Sequence, residues 1–449
     1  MAVVLRSNSD LAYLPDHGFV GEDGAIRILL QITRQIRRLD ISHNLLGPPG
    51  ARSLLNGLAT LRLRYSSKEY GIWGLSEVNL GCNALDDGAM DALMGYAKKD
   101  VCLRKVLVQA NDIELKRNLE SIINSLNSSR ISTLSLTNNP NLSPSSLTRL
   151  FAALSSPHLT ELHLNTCAIG PGLAPSIAAY LRSTRSRRLE LLELNGNHLG
   201  LSGVREIVDA VERGNFTIKH LGLVANESLP PRPHREGGDD IVDGADEDEQ
   251  SESPEPEDRR SAEEKLAEER ALSYEVHERL PVLLERNRVL TRRVRRAAVR
   301  CLAPARILLN AQPIVIDDLT TARQVIEEVS SNRTHLRPQP FPLLSLPEEV
   351  LHLVIRHTSG DATALSDSQW VRLRTEAGNR ESLRRAARSL ESKLRRAYTI
   401  EERQGAGREL MEEWLMRGKW DRWELDRPAT PAEVDSAPGP AGGEADSSP

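Results

Sequence analysis

One spacing of apolar residues returns through the first half of the chain: apolar-x-x-apolar-x-apolar-x-x-Asn/Cys-x-apolar. It reads Ile36, Leu39, Ile41, Asn44, Leu46, then Leu75, Val78, Leu80, Asn83, Leu85, then Leu103, Val106, Val108, Asn111, Ile113. The fourth copy is Ile131, Leu134, Leu136, Asn139, and the fifth Leu159, Leu162, Leu164, Cys167, Ile169. Leu189, Leu192, Leu194, Asn197, Leu199 and Ile218, Leu221, Leu223, Asn226, Leu229 complete the set. The steps between polar ladder positions are 39, 28, 28, 28, 30 and 29 residues. A fixed period of this size is the mark of a stacked repeat, whose units bury their apolar faces only against each other. The long first step predicts an insertion around Leu63 to Trp73, placed as a loop on one rim.

The apolar-x-apolar core of each copy predicts a short strand with alternate residues buried. Successive strands pair in parallel as an inner wall. The period leaves room for an outer helix, visible in Gly50, Leu54, Leu58 and in Gly203, Ile207, Val211. The expected fold is an α/β solenoid of about seven repeats, with a helical cap and a small C-terminal helical module. The ladder residues Asn44, Asn83, Asn111, Asn139, Cys167, Asn197 and Asn226 turn inward and bond the backbone of neighbouring turns.

Residues between the buried positions face solvent in three columns. The central one is Asp40, Asn79, Leu107, Ser135, His163, Glu193 and Gly222; before it stand Arg38, Glu77, Lys105, Thr133, Glu161, Leu191 and His220. After it come Ser42, Gly81, Gln109, Thr137, Asn165, Asn195 and Val224. Seven strands span about 30 Å, wide enough for a protein or peptide. The candidate binding residues are Arg38, Asp40, Glu77, Asn79, Lys105, Leu107, Gln109, Glu161, His163, Asn165, Glu193 and His220. The wall is polar and mixed in sign, and no aromatic anchor stands in these columns.

The motif with Gly50 or Gly203 after the ladder residue, and the period of 28 to 30, resemble ribonuclease-inhibitor-type leucine-rich repeats over roughly residues 28–230. The resemblance implies the solenoid and leaves function open, since one fold hosts many binders.

Composition sharpens the second half. Net charge is −5 over 449 residues, but Glu236–Asp258 holds 12 acidic and no basic residues, so the rest carries +7. Residues 230–262 read as a disordered acidic insertion. A helical C-terminal cap follows at 263–310, with Pro281 at a start or kink. Its apolar face is Val276, Leu280, Leu283, Asn287, Leu290, Val294, Ala297 and Cys301, opposite Arg288, Arg292, Arg295, Arg296 and Arg300. The acidic stretch is expected to contact this arginine face. Leu283-Leu284-x-Arg286-Asn287-x-x-Leu290 with Ala305-Arg306-x-Leu308-Leu309 is similar to fungal ribonuclease-inhibitor-like proteins, which implies a helix after the last repeat. With an N-terminal cap, the solenoid then spans 1–229.

A linker is expected at 311–340, a small helical module at 341–428 and a disordered tail at 429–449. Ser345 with Glu348 fits a capping box, and Pro347 a first helical turn. Leu346, Pro347, Glu349, Val350, Leu353 and Val354 resemble the first helix of an F-box, which implies docking to a cullin-ligase adaptor. Trp414, Trp420 and Trp423 are expected to close this module.

Catalytic signatures are absent: no phosphate-binding loop, no nucleophile elbow, no zinc-protease motif and no histidines at metal spacing. His163 and Glu193 as an acid–base pair find no support. The four cysteines form no CxxC pair and read as reduced thiols of an intracellular protein, in cytoplasm or nucleus. No run is long and apolar enough for a membrane span, and Ala2–Leu5 is too short for a secretory leader. The sequence thus predicts a non-enzymatic interaction scaffold with a protein partner on the concave face. Neither cofactor, metal, small-molecule substrate nor membrane is expected, and nucleic acid is not the expected partner. A cullin-ligase substrate adaptor is the alternative. A regulator resembling Ran GTPase-activating proteins, which join this repeat type to an acidic region, is a further one.

Overall fold

The computed structural model describes residues 10–67, 71–227, 262–310, 343, 346–396 and 400–424. Eight three-residue strands form one parallel sheet in sequential order. They are β1 (Leu11–Tyr13), β2 (Arg38–Asp40), β3 (Glu77–Asn79), β4 (Lys105–Leu107), β5 (Thr133–Ser135), β6 (Glu161–His163), β7 (Leu191–Glu193) and β8 (His220–Gly222). Outer helices join them: α1 (Gly21–Leu29), α2 (Gly47–Tyr65), α3 (Asp87–Lys99), α4 (Leu119–Ser128), α5 (Pro144–Ala153), α6 (Ala174–Arg182) and α7 (Gly200–Gly214). The fold is a leucine-rich-repeat solenoid. The register pairs Leu39, Val78, Val106, Leu134, Leu162, Leu192 and Leu221 across the sheet, and each is buried.

Two features differ from the sequence reading. The sheet has an eighth strand, because the chain ahead of Ile36 forms a further repeat of β1 and α1. Its buried residue is a small Ala12, and exposed His17 stands where the ladder Asn would be, so the motif does not show it. The long first step does not all project as a rim loop either. It lengthens α2 to Tyr65, and Trp73 is fully buried, its indole N–H donating to the Arg34 carbonyl at 3.0 Å.

The turn before each ladder residue has positive φ: His43, Cys82, Ala110, Asn138, Thr166 and Ala225 lie at 51–57°, and Gly196 at 67°. Only position 196 uses glycine. A Cβ there would sit 2.7 Å from the Thr166 methyl, so the close approach excludes a side chain.

The described residues fall into two compact units, divided between Arg286 and Asn287. The cap segment expected at 263–310 is therefore shared. In the first unit α8 (Ala262–Tyr274), a π-helical turn (Glu275–Arg279) and the start of α9 (Leu280–Asn310) follow the repeats. The π turn ends just ahead of Pro281, at the point where the unbroken run of helix from Ala262 meets a residue that has no N–H to donate. Val276, Leu280, Leu283 and Leu284 join the repeat core. Arg286 closes α7: its guanidinium donates to the carbonyls of Val211, Glu212 and Asn215 at 2.9–3.2 Å and lies 4.6 Å from the Phe216 ring centre. Desolvation by burial pulls its pKa down to about 10.

The second unit holds the rest of α9, then α10 (Glu348–His357), α11 (Asp367–Gly378), α12 (Arg380–Arg396) and α13 (Ile400–Gly418). Val294, Ala297, Cys301 and Ala305 pack with Ile355, Leu365, Trp370, Leu373, Leu415 and Trp420. Trp414 packs against Trp420 with tilted rings whose centres are 4.4 Å apart, and Trp423 packs against the same core, as expected of closing residues. No helix among the described residues is long and apolar enough to cross a membrane.

Candidate functional site

The ladder gives the wall its rigidity. Asn111 donates through Nδ2 to the carbonyls of Leu80, Val108 and Gln109, and its Oδ1 accepts from Asn83 N–H and Leu85 N–H, all at 2.9–3.2 Å. Asn139 and Asn197 bond in the same manner. Asn44, Asn83 and Asn226 each donate across a repeat boundary. At the one departure, the Cys167 thiol donates to the Leu136 carbonyl at 3.2 Å, and burial pushes its pKa up to about 11. One side chain thus ties two consecutive turns, and the ladder's buried polar groups are satisfied.

The three columns stand on the wall in the expected register. Their charges are largely answered by neighbours. Arg38 pairs with Asp10 at 2.8 Å, and Lys105 with Glu77 at 2.9 Å. The hydrogen bond from Arg38 holds the Asp10 carboxyl below its ordinary pKa. Asp40 accepts from the Ser42 N–H and hydroxyl and from Asn79 Nδ2 at 2.8–3.1 Å, while Asn79 Oδ1 accepts from Gln109 Nε2 at 3.0 Å. Farther along, Glu161 accepts from Thr133 Oγ1 at 3.0 Å, with His163 3.8 Å away. Glu193 takes His220 at 2.6 Å and Asn195 Nδ2 as partners. Asn165 Oδ1 accepts from the Asn195 backbone. Glu193 is therefore paired with His220 rather than His163.

Such a surface steers charged molecules weakly, because opposite charges cancel at short range. It offers instead a fixed lattice of donors and acceptors, with Leu107 and Leu191 half-buried among them and Val224 exposed. The sequence reading missed Tyr13. It continues the central column one strand past Asp40 and is 61% exposed, which puts an aromatic on a wall that had none. The Leu11-x-Tyr13-Leu14 alternation is its only signal. Among the described residues, no three His, Cys, Asp or Glu side chains gather as metal ligands.

In the second unit α10 forms as expected, but it packs through fully buried Ile355. Val350 and Leu353 are exposed, Leu346 and Val354 half-buried, and Glu349 and Pro347 exposed. Pro347 caps the helix from outside its first turn, and Ser345 lies outside the described residues. A capping box does stand on α11, where Ser366 and Gln369 bond each other's backbone; Ser-x-x-Gln was its sequence signal. The acidic stretch Glu236–Asp258 also lies outside the described residues. Several α9 arginines are already engaged nearby: Arg293 with Asp361 at 2.7 Å, Arg295 with Glu412, and Arg300 with the Ser359 carbonyl at 3.0 Å.

A sheet of in-register strands bound by a polar ladder defines a leucine-rich-repeat protein class. A family model described as leucine-rich repeat matches residues 35–55 and 155–172, the segments that carry β2 with the start of α2 and β6 with its following turn. No curated protein matches the chain.

Proposed function

We propose that this chain is a non-enzymatic interaction scaffold that holds a protein partner on the concave face of its repeats. The observation that carries the reading is the wall itself: continuous, in register over eight strands, and pinned from behind by the ladder. Leucine-rich repeats generally serve as protein-interaction modules, and the matched segments are two of these repeats. The wall's charges are mostly spent on each other, so recognition rests on shape, hydrogen bonds and a few apolar anchors. Tyr13 and Val224 sit at opposite ends, with Leu107 and Leu191 between. Such anchors carry most of the energy in an interface, and the polar surround excludes water.

The test is capture of the partner by full-length protein. Lys105→Glu with His163→Glu places new anions beside Glu77 and Glu161 and should abolish capture while circular dichroism and melting stay native. Capture that survives this variant, but is lost when residues 287–433 are removed, would move the site off the repeats.

A further inference from the structure

Among the described residues, nothing covers one apolar face of the first repeat. Solenoids need their ends closed, because a terminal repeat exposes the surface its missing neighbour would bury. Beside β1, at the sheet edge, α1 carries Ile26 at 53% exposure, with Leu30 just after it at 81% and Val20 just ahead of it at 58%. These are large apolar side chains within a single repeat, next to exposed Tyr13.

The face has a definite orientation. Helix α2 lies against α1 on the side of Gly21 and Leu29, since a Cβ on Gly50 would strike the Gly21 carbonyl and one on Gly57 the Leu29 side chain. Gly24, Ala25 and Ile28 turn inward. At 100° per residue the opposite side presents Asp23, Arg27 and Leu30, flanked by Ile26.

This pattern is self-complementary. Turned end for end about Ala25, α1 brings Asp23 onto the position of Arg27 and Arg27 onto that of Asp23. Leu30, at the end of the helix, and Ile26 flank these charges on the exposed side, while extended Val20 lies ahead of the helix. A twofold contact needs such reciprocity, residue i meeting j while j meets i. Two ion pairs follow from one helix laid antiparallel on its copy, with the exposed apolar side chains of Ile26 and Leu30 beside them. We infer that the uncovered α1 face is the contact through which two copies of this chain pair, solenoid end to solenoid end.

Sedimentation equilibrium of the full-length chain at micromolar concentrations tests this. Wild type should show a monomer–dimer equilibrium. Ile26→Glu with Leu30→Glu should be monomeric with a native circular dichroism spectrum, both residues being exposed in the single chain. Arg27→Asp sets like charges face to face and should weaken association by about tenfold. Adding Asp23→Arg exchanges the two charges and should restore it, a rescue that general stickiness does not give. A wild-type monomer, or a dimer indifferent to the first variant, overturns the proposal. So does failure of the charge exchange to restore pairing. If removing residues 1–9 creates an association absent from the full chain, that segment covers the face instead, and the proposal fails.

Discussion

The two ends of the repeat array solve the same problem differently. At the last repeat, Leu280, Leu283 and Leu284 lie on the core, and Arg286 takes up carbonyls at the end of α7. Arg279 meets Asp209, Glu212 and Glu275 at the same place. At the first repeat Leu30, Val20 and Ile26 stay in solvent, and the nearest ion pair, Arg38–Asp10, is half-exposed on both sides. One end is closed by the chain itself with apolar area and buried donors. The other keeps its apolar area available. Local stability should therefore rise from the first repeat toward the last, since cooperative units with few buried contacts open first.

The largest effect should separate the ends directly. Leu280 is 2% exposed and sits in the repeat core, so Leu280→Ala should cost roughly 2–5 kcal/mol. In the unpaired chain, below the concentration at which copies associate, Leu30→Ala should lie within about 0.5 kcal/mol of wild type, as surface changes do. Chemical denaturation of the two variants checks both. Equal costs would mean that the first end is as tightly covered as the last.

A smaller contrast lies in the ladder. Asn111→Ala strands the Leu80 carbonyl and the backbone N–H groups of Asn83 and Leu85 between repeats packed on both sides, at about 1–3 kcal/mol for each group that finds no water, while the Val108 and Gln109 carbonyls keep Asn139 and Cys82. Asn44 makes comparable bonds to Leu14, Ile41, Ser42 and Phe19, but two of these partners belong to the first repeat. That repeat can part from the second and hydrate what is left unpaired. Asn44→Ala should therefore lower the main melting transition less than Asn111→Ala and speed hydrogen exchange chiefly over residues 10–30. A matching loss of global stability from both would refute the graded picture.

The sequence carried the register of β2 through β8 because a buried aliphatic and an inward Asn repeat at a nearly fixed step. Exposure cannot break that spacing, so even the Cys167 substitution left it readable. β1 escaped because Ala12 and His17 replace the two signals. Helix α10 was legible from its spacing, yet its buried side was not. Val350, Leu353 and Val354 and the neighbouring Ile355 are all aliphatic, and only the surrounding helices decide that Ile355 goes inward. The arginines of α9 read as one solvated face for a similar reason. Their partners lie far along the chain, as Glu412 does for Arg295 and the Ser359 carbonyl does for Arg300.

The finest contrast is electrostatic. The hydrogen bond from Arg38 depresses the pKa of Asp10, so the folded state favours the carboxylate. The sign follows from linkage: a carboxyl with a lower pKa folded than unfolded contributes stability above its ordinary value of 3.8, lost as pH falls through the depressed folded value. Both partners are solvent-exposed, so salt screens the pair as well, the Debye length dropping to about 3 Å at 1 M. Asp10→Asn should thus lower the melting temperature slightly at neutral pH and low salt, and not at all in molar salt or at a pH below the folded pKa. Arg279 at the other end is 21% exposed and its partner Glu275 only 5%, so a penalty from Arg279→Gln should persist in molar salt. Melting curves of the two variants across a salt series read this out. If the Arg279 penalty fades with salt in step with that of Asp10, the last repeat is held by a screened surface contact like the first, and the difference between the ends reduces to apolar area alone.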